Sequence, residues 1–249
     1  MKKVIIKDIN NKHFEPSVAC IGYFDGVHIG HAKLIKKAIS EAKKLKVYSS
    51  VICFEPDPVN LITGKKNKHL TSYNMRLAIF EDYGIDIVYV IKFNDVFMKL
   101  TACSFINRYL NKMNLRELVC GFDYSFGYKA KGTPKLLLEK SSSNTIVINE
   151  TKYKGEKVSS TRIKEAFIRG DFRLVNKLLG YTYLVDLKVI KCSKQAKKWL
   201  IEAKLSDNNC LLPNIDTYSD NIVFNRNKVL ILGKNMLTIG SHLYLSFDE

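Results

Sequence analysis

Over the first three quarters of the chain, short apolar runs alternate with longer stretches of helical character, and that alternation limits the fold more than any other feature. Strands are predicted over Val18–Gly22, Val47–Phe54, Ile85–Phe93, Glu117–Gly121 and Thr145–Ile148, with helices over Ala32–Lys44, Ser72–Tyr83, Ser104–Asn111 and Pro134–Lys140. A helix between successive strands builds a parallel sheet covered on both faces, with ligands at the carboxyl ends of its strands. The expected class is therefore α/β. Ser159-Ser160-Thr161 caps another helix, Arg162–Arg169, and Gly170-Asp171 separates it from Phe172–Leu179, which closes at Gly180. From Leu184 the texture changes to short runs, Leu184–Lys191, Trp199–Lys204, Ile222–Asn225, Lys228–Leu232 and His242–Phe247, broken by Asn, Asp, Gly and Ser. This reads as a small β-rich module of about 65 residues. The expected division is residues 1–183 and 184–249.

Composition narrows the function classes. A hydrophobic fraction of 46% is ordinary for a globular protein. No apolar run approaches the roughly 20 residues of a membrane span. The start, Met1 to Asp8, is interrupted too soon for a signal peptide, so a soluble cytoplasmic protein with no membrane partner is expected. The six cysteines are widely spread with no C-x-x-C pair and read as buried thiols, not as a disulfide framework or zinc site. The net charge of +16 raises the question of nucleic acid, but only seven of the 40 basic residues are arginine and the lysines are scattered. They read as solvated faces and not as a nucleic-acid footprint, though their field attracts anionic nucleotides.

The segment Gly22-Tyr23-Phe24-Asp25-Gly26-Val27-His28-Ile29-Gly30-His31 follows the apolar run Val18–Ile21 and leads into a helix. Glycines let the backbone approach a bulky anion, and the first free N–H groups of the helix point at it. His28 and His31 are three apart, so on a helical turn they reach one phosphate chain. Their expected role is electrostatic: imidazole donors stabilise the charge that spreads over an α-phosphate as pyrophosphate leaves. Asp25 is either a turn residue bonded to backbone N–H groups or a direct substrate contact, and the turn is the favoured reading. Ser160, Thr161 and Arg162 offer hydroxyl, backbone and guanidinium donors for a triphosphate, against the plain alternative of a helix cap.

Three further segments accompany that motif in order: Phe54-Glu55-Pro56-Asp57-Pro58, Gly121-Phe122-Asp123-Tyr124-Ser125-Phe126-Gly127, and Val158-Ser159-Ser160-Thr161-Arg162-Ile163. Together, over about residues 15 to 183, they resemble the prokaryotic FAD synthetases, whose amino-terminal module is an FMN adenylyltransferase. The resemblance implies a Rossmann-like nucleotidyltransferase domain that takes ATP, with Mg²⁺, and FMN as substrates. It implies His28, His31 and Arg162 as catalytic residues. Gly22, Phe24 and Gly30 would shape the adenine and phosphate pocket, with Asp25, Ser160 and Thr161 beside them. Asp123 and Phe126 would meet the flavin, Phe126 by stacking, where an isolated aromatic loop would otherwise be read as packing.

Some positions depart from the family's pattern. Asp57 stands where histidine is usual, and Lys157 and Lys164 stand where arginines commonly flank the Ser-Ser-Thr segment, which keeps charge but loses the bidentate fork. The family's second domain is a riboflavin kinase barrel with a Gly-x-Pro-Thr-Ala-Asn segment. The nearest stretch here, Leu211-Leu212-Pro213-Asn214-Ile215-Asp216-Thr217, lacks its glycine and Thr-Ala. The tail therefore reads as a degenerate kinase barrel or a different β module. The alternatives are a bifunctional enzyme that also phosphorylates riboflavin, a transferase acting on another phosphate acceptor, and a non-catalytic flavin or nucleotide binder.

Overall fold

The computed structural model describes residues 1–10, 13–64, 67–195, 198–205 and 207–211, and the segments 222–225, 228–231, 236–239 and 242–246. In chain order the elements are β1 (Lys2–Ile6), β2 (Ser17–Ile21), α1 (Ile29–Leu45), β3 (Tyr48–Glu55), α2 (Pro58–Thr63), α3 (Tyr73–Asp82), β4 (Ile87–Lys92), α4 (Asp95–Met98) and α5 (Ala102–Arg108). They continue with β5 (Leu115–Gly121), α6 (Pro134–Lys140), β6 (Asn144–Ile148), β7 (Lys152–Tyr153), β8 (Glu156–Lys157), α7 (Ser160–Ile168) and α8 (Phe172–Leu179). The last six are β9 (Leu184–Gln195), β10 (Lys198–Leu205), β11 (Ile222–Asn225), β12 (Lys228–Ile231), β13 (Met236–Ile239) and β14 (His242–Ser246). The chain forms two compact units. One comprises Met1–Phe24, Gly30–Asn67 and Leu77–Lys157; the other comprises Asp25–Ile29, Lys68–Arg76 and Val158–Glu249.

The first unit is built on a six-stranded sheet in the order β1-β4-β3-β2-β5-β6, every neighbouring pair parallel. This is the α/β architecture that the alternation predicts. Strand β2 is buried along its whole length, as the unbroken apolar run Val18–Ile21 requires of a central strand covered on both faces. The core joins Ile21, Ile52, Phe54, Tyr89, Phe105 and Leu118. Order 3-2-5 places the ends of β3, β2 and β5 side by side, so the three loops that follow them share one edge of the sheet.

Several elements depart from expectation for local reasons. Strand β1 is an edge strand with one buried side chain, Ile6, and its lysine-rich start hides the strand pattern. Helix α1 starts at Ile29, ahead of the expected Ala32, because the glycine and histidine positions are themselves helical. The helix expected over Ser104–Asn111 begins at Ala102, where the Thr101 side chain accepts the Ser104 N–H, and after Arg108 it gives way to a 3₁₀ turn over Leu110–Lys112. Short helices α2 and α4 have too few residues to show a helical period.

In the second unit α7 and α8 precede a six-stranded sheet in the order β11-β12-β10-β9-β14-β13. Its neighbouring pairs are antiparallel. Strand β9 runs on to Gln195, beyond the expected Lys191, and β10 carries an irregularity at Glu202/Ala203 opposite it. The expected comparison of Leu211–Thr217 with a kinase segment lies, beyond Leu211, outside the described residues. Among the described residues, no helix is long and apolar enough to cross a membrane.

Candidate active site

At the carboxyl end of β2 the chain makes a strained turn. Gly22 donates its N–H to the Ile52 carbonyl of the neighbouring strand at 3.1 Å. Phe24 and Val27, neither of them glycine, have φ of 61° and 34°. A β-branched residue at positive φ is an outlier that persists only where its surroundings over-determine it. His28 is the last residue before α1 and is buried, while half-buried His31 lies in the helix's first turn. The first turn of α1 carries no acidic side chain, and Lys43 and Lys44 occupy its last. That distribution suits an anion at the amino end. Phe24 does not line a pocket with its own ring. It is 1% exposed and meets His31 edge-on at 5.1 Å and Phe80 at 5.4 Å. Gly22 and Gly30 are half-buried at the two ends of the turn.

Residues 25–29 belong to the second unit, and there the turn is pinned by its neighbours. The Asp25 carboxylate accepts the N–H groups of Leu70 at 2.8 Å and Thr71 at 3.2 Å through Oδ1. Its Oδ2 lies 2.8 Å from Lys164 Nζ. The Asp25 carbonyl accepts the Ser160 hydroxyl at 2.9 Å. Gly26 donates its N–H to Thr71 Oγ1 at 3.0 Å, and its carbonyl accepts the Tyr181 hydroxyl at 2.7 Å. Glycine is required at this position: φ is +77°, and a Cβ would stand 2.8 Å from Leu70 Cδ1. Oδ1 of Asp25 thus accepts two backbone N–H groups remote in sequence, not the nearby ones that the turn reading names, and Oδ2 is met by the Lys164 ion pair without a hydrogen bond.

Helix α7 begins at Ser160, two residues ahead of the expected Arg162, so Ser160 and Thr161 lie in its first turn and Ser159 alone is the cap. Ser159 precedes it and its side chain accepts the Arg162 N–H at 3.2 Å, while Thr161 is exposed and Arg162 half-buried. Ser160 uses its hydroxyl proton on Asp25, so it ties the helix to the turn and offers a ligand only its oxygen and its backbone N–H.

The loop after β5 corrects one expectation. Phe126 is 7% exposed, lies nearly parallel to Tyr124 at 5.5 Å, contacts Phe105 at 5.6 Å and belongs to the core. Gly132 passes so close that a Cβ there would lie 2.6 Å from its ring. A ring so enclosed has no face for a flavin, and the expected stacking by Phe126 does not fit. Within the Gly121–Gly127 segment the exposed ring is Phe122, with Lys157 Nζ 4.9 Å from its centroid; Tyr128, just beyond the segment, is exposed as well. Lys157, at the end of the β7–β8 hairpin, also pairs with Asp123, and both are about half exposed. The motif quoted around Phe126 contains Phe122, but its exposure follows from the turn at Gly121–Tyr124 and not from residue type. Asp57, the departure beside two prolines, is buried and accepts the Val59 N–H at 2.8 Å as the cap of α2. Its carboxylate serves the local fold.

The FAD synthetase family model matches residues 10–162. A bifunctional riboflavin kinase/FMN adenylyltransferase of Buchnera aphidicola subsp. Schizaphis graminum is 34% identical over 199 residues, 78% of this chain and 62% of the relative. The corresponding protein of Listeria monocytogenes is 31% identical over 239 residues, 93% of this chain and 74% of the relative. That of Bacillus subtilis is 34% identical over 186 residues, 73% of this chain and 58% of the relative. The matched region thus spans about six tenths of the Buchnera and Bacillus proteins. A solved structure titled as a macrolide-efflux protein from Streptococcus pneumoniae superposes with a TM-score of 0.78 at 24% identity, covering 99% of this chain and 89% of that one. At that identity the likeness bears on the fold alone. With the family model and relatives above 30% identity both in agreement, the chain belongs to the FAD synthetase family.

Proposed function

We propose that this protein is an FMN adenylyltransferase, which transfers AMP from ATP to FMN and releases FAD and pyrophosphate. The observation that carries the reading is the strained turn after β2, which sets His28 before α1 and His31 in its first turn. A phosphate oxygen of FMN attacks the α-phosphorus of ATP, the new P–O bond forms as the bond to pyrophosphate breaks, and no covalent enzyme intermediate is needed. His28 and His31 donate hydrogen bonds to oxygens on which negative charge grows. Arg162, Thr161 and the free N–H groups of α7 hold the β- and γ-phosphates. Gly22 and Gly30 leave room for the nucleotide, and Phe24 orients His31. Phe122, with Asp123 and Lys157 beside it, takes the place at the flavin that Phe126 does not.

Mg²⁺ accompanies ATP in this reading. Among the described residues no group of three or more His, Cys, Asp and Glu side chains is placed to hold a metal ion. Asp25 and Asp123 are both paired with lysines. The ion therefore enters as part of the MgATP substrate, and no step is assigned to it. The transferase is assigned to residues 1–183, with α7 and α8 contributing to it, and residues 184–249 form the β-rich module, placed in the cytoplasm with the rest of the chain.

A second reading has specific support. The relatives are named as bifunctional, and β9–β14 form an antiparallel sheet in the tail, so riboflavin is a candidate substrate despite the missing Gly-x-Pro-Thr-Ala-Asn segment. One experiment tests both. Purified protein is incubated with MgATP and either FMN or riboflavin, and the flavins are separated by chromatography. FAD from FMN, and no FMN or FAD from riboflavin, is the expected result. His28→Ala should lower kcat by roughly 100- to 1,000-fold while the protein stays folded. Wild-type turnover in that variant would sink the assignment.

A further inference from the structure

Asp25 is gripped from two sides within the second unit. On one side, Ser160 and Lys164 stand four residues apart on α7, so they share a helix face. The first donates to the Asp25 carbonyl and the second meets the Asp25 carboxylate. On the other side, the Leu70 and Thr71 amides occupy Oδ1, and Thr71 Oγ1 takes the Gly26 N–H. The Asp25 side chain is 5% exposed and that of Lys164 29%. An ammonium 2.8 Å from a buried carboxylate is largely compensated and has correspondingly little charge to offer a phosphate. Meanwhile the flanking residues Phe24 and Val27 are held at positive φ, a conformation that needs such restraint. His28 follows Val27 directly.

We propose that Lys164 is a positioning residue: its ion pair with Asp25 locks the turn that aims His28, and it does not act by binding the nucleotide phosphates. The proposal rests on the adenylyltransferase reading. Loosening the lock displaces the imidazole without removing a ligand of ATP, so it costs kcat and spares KM for ATP. A misplacement of about 1 Å is enough for a rate loss approaching 100-fold.

The test uses the full chain with Lys164→Met, Lys164→Arg, Asp25→Asn and the double variant Asp25→Asn/Lys164→Met, each assayed for FAD formation across a range of MgATP. In Lys164→Met, kcat should fall by about 30-fold with KM for ATP within about twofold of wild type. Lys164→Arg still reaches the carboxylate and should recover a third or more of the rate. The double variant should be no slower than the slower single variant, because both singles break one interaction. A raised KM for ATP at unchanged kcat in Lys164→Met identifies a phosphate ligand and overturns the proposal, as do losses that multiply in the double variant. If Lys164→Met does not fold, Ser160→Ala and Thr71→Val each remove one bond to the same turn. Both should lower kcat several-fold at constant KM, and unchanged kcat in both refutes the lock. Absence of FAD formation by the wild-type chain defeats the functional reading instead. The lock is then judged by the His28 imidazole proton resonance, identified by its loss in His28→Ala: it should shift in Lys164→Met and shift less in Lys164→Arg, and no shift in either rejects it.

Discussion

Replacing Gly26 by alanine separates two costs that the structure assigns to one position. An L-residue at φ +77° carries a left-handed penalty of roughly 1–2 kcal/mol. The added methyl would also stand 2.8 Å from Leu70 Cδ1 and 3.3 Å from Leu179 Cδ2, and both leucines are buried, Leu70 at 1% exposure. Overpacking of this kind costs about 1–3 kcal/mol. Gly170 provides the control, because its φ is also +77° but nothing lies within 4 Å of its Cβ position. Gly170→Ala should therefore carry only the conformational cost, and Gly26→Ala should be less stable by the packing cost. For a chain of this size 1 kcal/mol moves the melting midpoint by about 2–4 °C, so the two variants should differ by roughly 2–12 °C. Thermal unfolding followed by circular dichroism measures this directly. Because Gly26 also anchors the His28 turn through Thr71 and Tyr181, its alanine variant alone should lose kcat for FAD formation. Equal midpoints for the two variants would show that the close approach to Leu70 and Leu179 is not what fixes glycine there.

Two further outcomes are expected. Phe122→Ala should raise KM for FMN by about 5- to 10-fold with KM for ATP little changed, a loss in the range of one aromatic stacking contact; an unaltered KM for FMN would remove Phe122 from the flavin site. Alkylation with iodoacetamide at pH 8, followed by peptide mass spectrometry, should label exposed Cys103 and spare Cys20, Cys120 and Cys210. Burial pushes the Cys120 thiol up to about 11 and those of Cys20 and Cys210 above their ordinary range, so all three stay protonated well above neutral pH. Their labelling in the folded protein at pH 8 would contradict that burial.

The parallel sheet was legible because its central strands are unbroken apolar runs separated by helices, and β2 through β6 fall within two residues of the expected bounds. Strand β1 escaped notice because an edge strand with one buried side chain needs no apolar pattern. At the site, the order of motifs located the turn and the α7 cap, since both depend on local glycine, serine and histidine chemistry. The partners of Asp25 were not legible. Leu70 and Thr71 lie 45 and 46 residues away and act through backbone N–H groups, which any residue type supplies. The exchange of Phe126 for Phe122 has the same origin. Both are phenylalanines in one loop, and only the Tyr124 stack and the close passage of Gly132 show which ring is core.

The two lysines that stand where the family resemblance leads one to expect arginine, Lys157 and Lys164, share a property that bears on how this chain handles phosphate. Each pairs with an aspartate of a motif segment, Lys157 with Asp123 and Lys164 with Asp25. An arginine has five donors in a rigid fork and can serve a carboxylate and a phosphate at once; an ammonium is a point charge, and pairing compensates most of it. The consequences differ with exposure. Asp123–Lys157 is about half exposed on both sides, so solvent weakens the pair, and in the proposed adenylyltransferase Lys157 would leave it for an arriving flavin phosphate at little cost. Asp25–Lys164 has a buried carboxylate, and withdrawing the lysine would strand that charge. In the proposed adenylyltransferase the same substitution would therefore give a releasable cation at one position and a fixed strut at the other, and the phosphate charge of ATP would fall to the histidines, Arg162 and the helix amides.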